Sequence, residues 1–151
     1  MHAILVTLHS YNRYLLLIAL VYVLFRSYSG WFGNKTYGKA DNTPSVALLA
    51  LTHLQALLGL IMYFFTSPYT TGGGSMSDPW TRYFKAEHIA AMLLAVVLVQ
   101  LGRTFSKKAA ADAEKHRKLA IYTSVAALII VGTLAMKGLL FGSLASVATG
   151  Q

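Results

Sequence analysis

Four long apolar blocks, each closed by a short polar or Gly-rich stretch, set the pattern of this chain. Their apolar residues do not alternate, and they do not recur with a 3.6-residue period that would leave a polar stripe. Blocks of this kind have no hydrophilic face to show to water. The first covers 3–26, with Tyr14 to Phe25 unbroken; Arg26 and then Ser29-Gly30-Trp31-Phe32-Gly33-Asn34 predict its end. The second covers 44–66: Asn42-Thr43-Pro44 places a cap residue before a proline in the first turn, and Ser67-Pro68 stops it. The third, 79–103, opens on Ser77-Asp78-Pro79, and the fourth covers 116–140. Between them, Tyr69 to Met76 with its Gly72-Gly73-Gly74 run reads as a loop, and Arg103 to Lys118 as a helical extension plus a turn. The tail, Gly138 to Gln151, reads as a frayed helix end or an interfacial segment.

Crossing about 30 Å of hydrocarbon takes about 20 residues of helix, which each block supplies. The connections are short, so consecutive spans are expected to be antiparallel neighbours. The predicted fold is a single all-α domain, an integral membrane up-down four-helix bundle.

Composition agrees with this. Apolar residues make up 56% of the chain and charged residues 12%, about half the charged share of an ordinary soluble domain. The net charge of +8 does not point to nucleic acid, because the basic residues gather between the blocks. Arg26, Lys35, Lys39, Arg103, Lys107, Lys108, Lys115, Arg117 and Lys118 flank the first and third connections, nine of the thirteen. The positive-inside rule then puts those connections in the cytoplasm and both termini in the periplasm, with the chain in a bacterial inner membrane. The apolar N-terminal stretch lacks a basic n-region and a cleavage site, so it is expected to be the first span rather than a signal peptide. Trp31, Tyr28, Trp80, Tyr83 and Tyr63 lie near span ends, as an aromatic belt would. The absence of cysteine rules out disulfides, thiolate metal sites, iron–sulfur clusters and covalent haem attachment.

Polar residues inside a span are costly and are functional candidates. They are His9, Asn12 and Arg13 in the first span, His53 and Gln55 in the second, and Glu87, His88 and Gln100 in the third, with His116 just before the fourth. Every span therefore has a histidine in or beside it. At a rise of 1.5 Å per residue, His9 and His88 fall about 8 and 9 Å to the outer side of their span centres. His53 falls about 3 Å and His116 about 18 Å to the inner side. The first and third spans of an up-down bundle lie on a diagonal, which leaves room for a flat cofactor.

His9 and His88, level with one another, are therefore the first candidates for the axial ligands of a b-type haem. His53 and His116 form a second candidate pair, matched less well in depth. His53 also admits a quinone contact or a structural role, and His116 also reads as one more polar residue at a helix start. Arg13 shares a helix face with His9 and needs an anion: a haem propionate, Glu87 or a quinone oxygen. Arg82 stands at the outer mouth, where propionates would emerge. Gly59 and Gly102 would allow close approach of helices or of a macrocycle. No G-x-S-x-G elbow, P-loop or short-spaced zinc ligand set is present.

Leu8-His9-Ser10 with Arg13-Tyr14, Thr52-His53-Leu54-Gln55 with Leu58-Gly59-Leu60, Glu87-His88, and Lys115-His116-Arg117-Lys118 together resemble a family. It is the small four-span membrane proteins of Bacteroidetes-type bacteria labelled cytochrome b, and the resemblance covers nearly the whole chain. It implies haem b held by histidines from different spans, matching His9, His53, His88 and His116. It also implies a place in respiratory electron transfer, with quinol or other respiratory membrane subunits as partners. A fainter similarity, carried by His53-Leu54 and the Gly-containing helix after it, is to one four-helix half of haem A synthase. The expected function is thus an electron-carrying membrane cytochrome rather than a stand-alone enzyme. The rivals are a cofactor-free accessory subunit and a haem-modifying enzyme.

Overall fold

A chain surrounded by hydrocarbon must satisfy its backbone hydrogen bonds within each segment. The computed structural model, which describes residues 1–139, does so with four long helices: α1 (His2–Phe32), α2 (Lys39–Thr66), α3 (Pro79–Lys108) and α4 (Asp112–Ala135). All four are long and apolar enough to cross a membrane, and the described residues contain no strand. Only 22% to 33% of each apolar window is buried inside the protein. The rest faces outward, with Leu15, Ile18, Phe25, Leu57, Phe65 and Leu128 all more than half exposed. Soluble monomers rarely carry so much contiguous apolar surface, whereas acyl chains solvate it. These are the features of a multi-pass membrane protein.

The helices form a square. α1 and α3 each pack on α2 and α4, which leaves α1–α3 and α2–α4 as the diagonals. Neighbours run antiparallel. Along the first seam His2 meets Thr66, Asn12 meets Gln55 and Arg26 meets Asp41, so α1 climbs as α2 descends. Tyr63 to Lys85 and His53 to Gln100 order α2 against α3 in the same way. Tyr83 to Thr133 and Ser106 to Lys115 order α3 against α4. Between the helices lies a core of Leu16, Leu20, Val23, Leu48, Ala95, Val99, Ala126 and Ile130. One end of the bundle carries the two basic connections. The other, here the loop end, carries the start of α1 and the α2–α3 connection.

Besides α3 running on to Lys108, α4 opening at Asp112 and a helical turn at Pro68–Thr71 where the sequence reads as loop, helix boundaries depart from the sequence reading in three places. First, α1 runs through Arg26 to Phe32, because Gly30 stays helical and the chain turns only at Gly33. Second, α2 starts at Lys39, ahead of Pro44. Asp41 explains this: its carboxylate accepts the Gly38 backbone N–H at 3.1 Å and pairs with the Arg26 guanidinium at 2.9 Å. That organises a first turn before the proline is reached. Third, α4 ends at Ala135, where Gly138 takes a left-handed φ of +66° and the Leu139 N–H bonds back to the Leu134 carbonyl. Glycine closes helices this way because it has no Cβ to clash. The tail reading for 140–151 lies outside the described residues. The start of α3 is as expected: Asp78 caps it, accepting the Thr81 N–H at 2.7 Å. That bond, with the Thr81 hydroxyl, holds the Asp78 carboxyl below its ordinary range, so the cap survives mild acid.

The seam between α1 and α2 is locked by amides. Asn12 Nδ2 donates to Gln55 Oε1 at 2.7 Å and to the Leu51 carbonyl at 3.0 Å, and Gln55 Nε2 donates to the His9 carbonyl at 3.0 Å. In hydrocarbon these groups have no water to fall back on. Asn12→Leu is expected to destabilise the bundle by about 1–2 kcal/mol. The measurement is the midpoint of SDS-induced unfolding from mixed micelles, which should fall.

Candidate cofactor site

At the loop end, the space between the diagonal pair α1 and α3 holds a partly open cavity of about 130 Å³. α1 contributes His9, Ser10, Arg13 and Leu16 to its wall, and α3 contributes His88, Ile89, Met92 and Leu93. Gln55, Ala56 and Gly59 line it from α2, and Ile130 and Leu134 from α4. The wall is thus apolar with a few polar groups, the usual make-up of a small-molecule site.

His9 and His88 both line this cavity, and Arg13 lines it with them. In each ring Nδ1 is sealed from solvent and has no hydrogen-bond partner among the described residues. Gly59 makes room for His9: a Cβ there would lie 3.3 Å from the His9 Cε1. His9 is also anchored through its own carbonyl by Gln55, which fixes the level of the ring.

Two irregular turns shape this end. α2 finishes in a π-helical segment, Met62–Thr66, and α3 passes through another, Tyr83–Glu87, immediately before His88. Such single-turn segments are frequent at functional sites. The wider turn changes the phase of the residues that follow, so it sets which way His88 faces. It also frees backbone carbonyls, which nearby hydroxyls satisfy. The Tyr63 hydroxyl donates to the Lys85 carbonyl at 2.9 Å, and the Thr70 hydroxyl donates to the Tyr63 carbonyl. Nothing in the apolar pattern signalled these segments.

The remaining candidates separate. Arg13 is buried on the cavity wall, with its guanidinium 4.8 Å from the Tyr14 ring centroid. Glu87, considered above as its partner, instead binds Arg82 at 3.1 Å. The π segment explains the pairing, since its wider turn brings positions five apart toward one face. Arg82 is exposed at the rim and is not part of the cavity wall. His53 faces outward, and its Nε2 meets Gln100 Oε1 at 3.1 Å.

His116 is 1% exposed at the basic end. It packs on Gly30, stands edge-on to Tyr37, and lies 3.4 Å from the Thr36 carbonyl. His53 and His116 thus have separate surroundings. Gly102 serves helix packing, since a Cβ there would come within 2.7 Å of Tyr122. The sequence reading treated Gly30 as part of a helix end, whereas it is the seat of the His116 ring.

No family model matches this chain, and no curated protein or solved structure matches it either. What the site can hold is therefore a question for its chemistry. Among the described residues no three or more His, Cys, Asp or Glu side chains gather as a bare metal ion would need. A haem makes a smaller demand on the protein: its macrocycle brings four nitrogens, and the chain adds one or two axial ligands. Two imidazoles on diagonal helices supply that number. The cavity volume is of the order that holds one benzene-sized ring. A tetrapyrrole needs more, so loading it must move side chains. Met62, Met92 and the half-exposed Leu93 border the cavity on α2 and α3 and can yield, the methionines most easily.

Proposed function

We propose that this chain is a membrane b-type cytochrome that holds one haem b between His9 and His88. The observation that carries the proposal is that His9 and His88 line one apolar cavity from diagonal helices, each with a buried Nδ1 that has no hydrogen-bond partner among the described residues. A buried polar atom without a partner costs about 1–3 kcal/mol, a cost that iron at that nitrogen, or a hydrogen bond formed as the ring turns to ligate through Nε2, would offset. Bound there, the haem would supply one-electron redox chemistry. Arg13 on the same wall offers a positive charge to a propionate, and Gly59 keeps the His9 ring in place without crowding it. Leu16, Met92, Leu134 and their neighbours exclude water. His53 and His116, with their separate surroundings, are not assigned a second haem.

The basic end belongs in the cytoplasm and the loop end in the periplasm of a bacterial inner membrane, on the strength of the arginine and lysine distribution. The haem would then sit in the outer half of the bilayer. Electron partners are a lipid-soluble quinol or a neighbouring respiratory subunit, and the residues named resemble those of the small four-span cytochromes b.

The test is a reduced-minus-oxidised spectrum of chain purified in mild detergent from cells supplied with a haem precursor, with haem quantified per polypeptide. About one haem per chain is expected, with a Soret band and a sharp alpha band on reduction. Folded, monodisperse protein without haem absorbance would overturn the proposal.

A further inference from the structure

The outward face between α2 and α3 carries polar groups where lipid should lie. His53 is near the middle of α2, about 20 Å from either end at the helical rise. It is exposed, and its neighbours Leu54 and Leu57 are exposed too. Its Nε2 lies 3.1 Å from Gln100 Oε1, and Gln100 Nε2 donates to Thr104 Oγ1 at 3.1 Å. The atom of Gln100 that faces His53 is its amide oxygen, an acceptor. With its amide nitrogen given to Thr104, Gln100 offers its oxygen to His53, so the hydrogen sits on His53 Nε2. His53 Nδ1 is then a bare acceptor facing the acyl chains, at a depth where an unsatisfied polar group is costly.

The chemistry of that acceptor selects its ligand. It must be soluble in the bilayer, and it must bring a hydrogen-bond donor. A hydroquinone has both: a flat ring for the apolar seam and a hydroxyl for Nδ1. The oxidised quinone has only carbonyl acceptors and would not satisfy this nitrogen. The position also fits. One to two turns toward the loop end from His53, Ala56 and Leu60 of α2 and Leu93 and Val96 of α3 line the cavity. Leu93 is also 43% exposed, so the cavity wall on this side reaches the lipid-facing surface.

We infer that His53, held by Gln100 and Thr104, is the head-group site for a membrane hydroquinone at the α2–α3 seam. Its purpose rests on the haem proposal, as a source of electrons beside the cavity, but its binding does not.

The experiment uses the full chain in nanodiscs, photolabelled with an azidoquinone under reducing conditions. A short-chain hydroquinone and its dimethyl ether, which lacks the hydroxyl hydrogens, serve as competitors. Labelling is expected on α2 and α3 near residues 53–60 and 93–100. The hydroquinone should compete at least about tenfold better than the ether, the scale of one lost hydrogen bond, because the ether leaves Nδ1 unpaired. His53→Leu and Gln100→Leu should each cut labelling at least about tenfold. Both place an apolar side chain toward lipid, so the fold should persist.

Labelling unchanged in His53→Leu, or mapped only to other helices, would overturn the inference. So would a dimer in the native chain that these variants convert to a monomer while labelling stays constant, because the face would then belong to a second copy. Site-specific labelling of a chain that binds no haem would uphold this inference while overturning the cytochrome proposal. Loss of labelling in His53→Leu with haem per chain unchanged would uphold both.

Discussion

Replacing either His9 or His88 with alanine is expected to lower haem per chain at least about tenfold, since even residues one step removed from a metal change affinity by 10–100-fold. The two variants should behave alike, because the rings line one cavity from opposite corners and neither has a hydrogen-bond partner at Nδ1 to keep it in place for another reason. Alanine at position 9 or 88 also removes an unsatisfied buried imidazole, so the haem-free bundle should unfold no more easily than the haem-free parent. That separates loss of a ligand from loss of the fold, and circular dichroism with size-exclusion profiles would check it. His88→Met offers a sharper arm. Methionine is a haem ligand that raises the reduction potential relative to histidine, and at position 88 it borders the same cavity as the flexible Met92. The expected result is retained haem with an altered spectrum and a more positive midpoint. His116→Ala should keep the full haem complement, because that ring contacts Gly30, Thr36 and Tyr37 at the basic end. Full haem in both His9→Ala and His88→Ala would remove these rings from ligation altogether.

Spans, neighbours and the diagonal were legible in the sequence because each depends on a coarse property. Twenty apolar residues make a span, short connections make antiparallel neighbours, and the level of His9 with His88 follows from a fixed rise per residue. What the sequence could not show depends on single side chains. The pairing of Glu87 with Arg82 rather than Arg13 needs the π turn between them, and a five-residue widening leaves no hydropathy signal. The outward face of His53 depends on helix phase, which an evenly apolar block does not reveal. The early start of α2 had a readable cue, an aspartate three residues after Gly38, and the capping-box logic could have found it. The buried place of His116 had no cue within its own basic stretch, where Lys115, Arg117 and Lys118 look like any solvated turn.

Gly30→Ala is the substitution for which two ordinary rules give opposite signs. Within a helix, alanine is favoured over glycine by about 1 kcal/mol, so propensity alone predicts a more stable α1. The contact across the bundle predicts the reverse. A Cβ at position 30 would lie 2.3 Å from His116 Cε1 and Nδ1 and 2.5 Å from Nε2. A side-chain neighbour can sometimes swing away, but this ring is 1% exposed, has the Tyr37 ring 5.1 Å away, and lies near the Thr36 carbonyl. The clash therefore has to be relieved by moving α1 and α4 apart, next to the tight Tyr28–Ser124 hydrogen bond of 2.6 Å. Overpacking of this kind costs about 1–3 kcal/mol, enough to cancel the propensity gain and exceed it at the upper end. The expected result is an earlier unfolding midpoint in SDS for Gly30→Ala and an earlier one still for Gly30→Val. His116→Ala should rescue most of the loss, because the new methyl then occupies space the ring has left. In a double-mutant cycle the coupling between the two positions should reach about 1–3 kcal/mol. Additive effects, or a Gly30→Ala chain more stable than the parent, would show that the His116 ring does not sit where the fold puts it. Haem content should be unmoved throughout this series, because the clash lies at the opposite end of the bundle from the His9–His88 cavity.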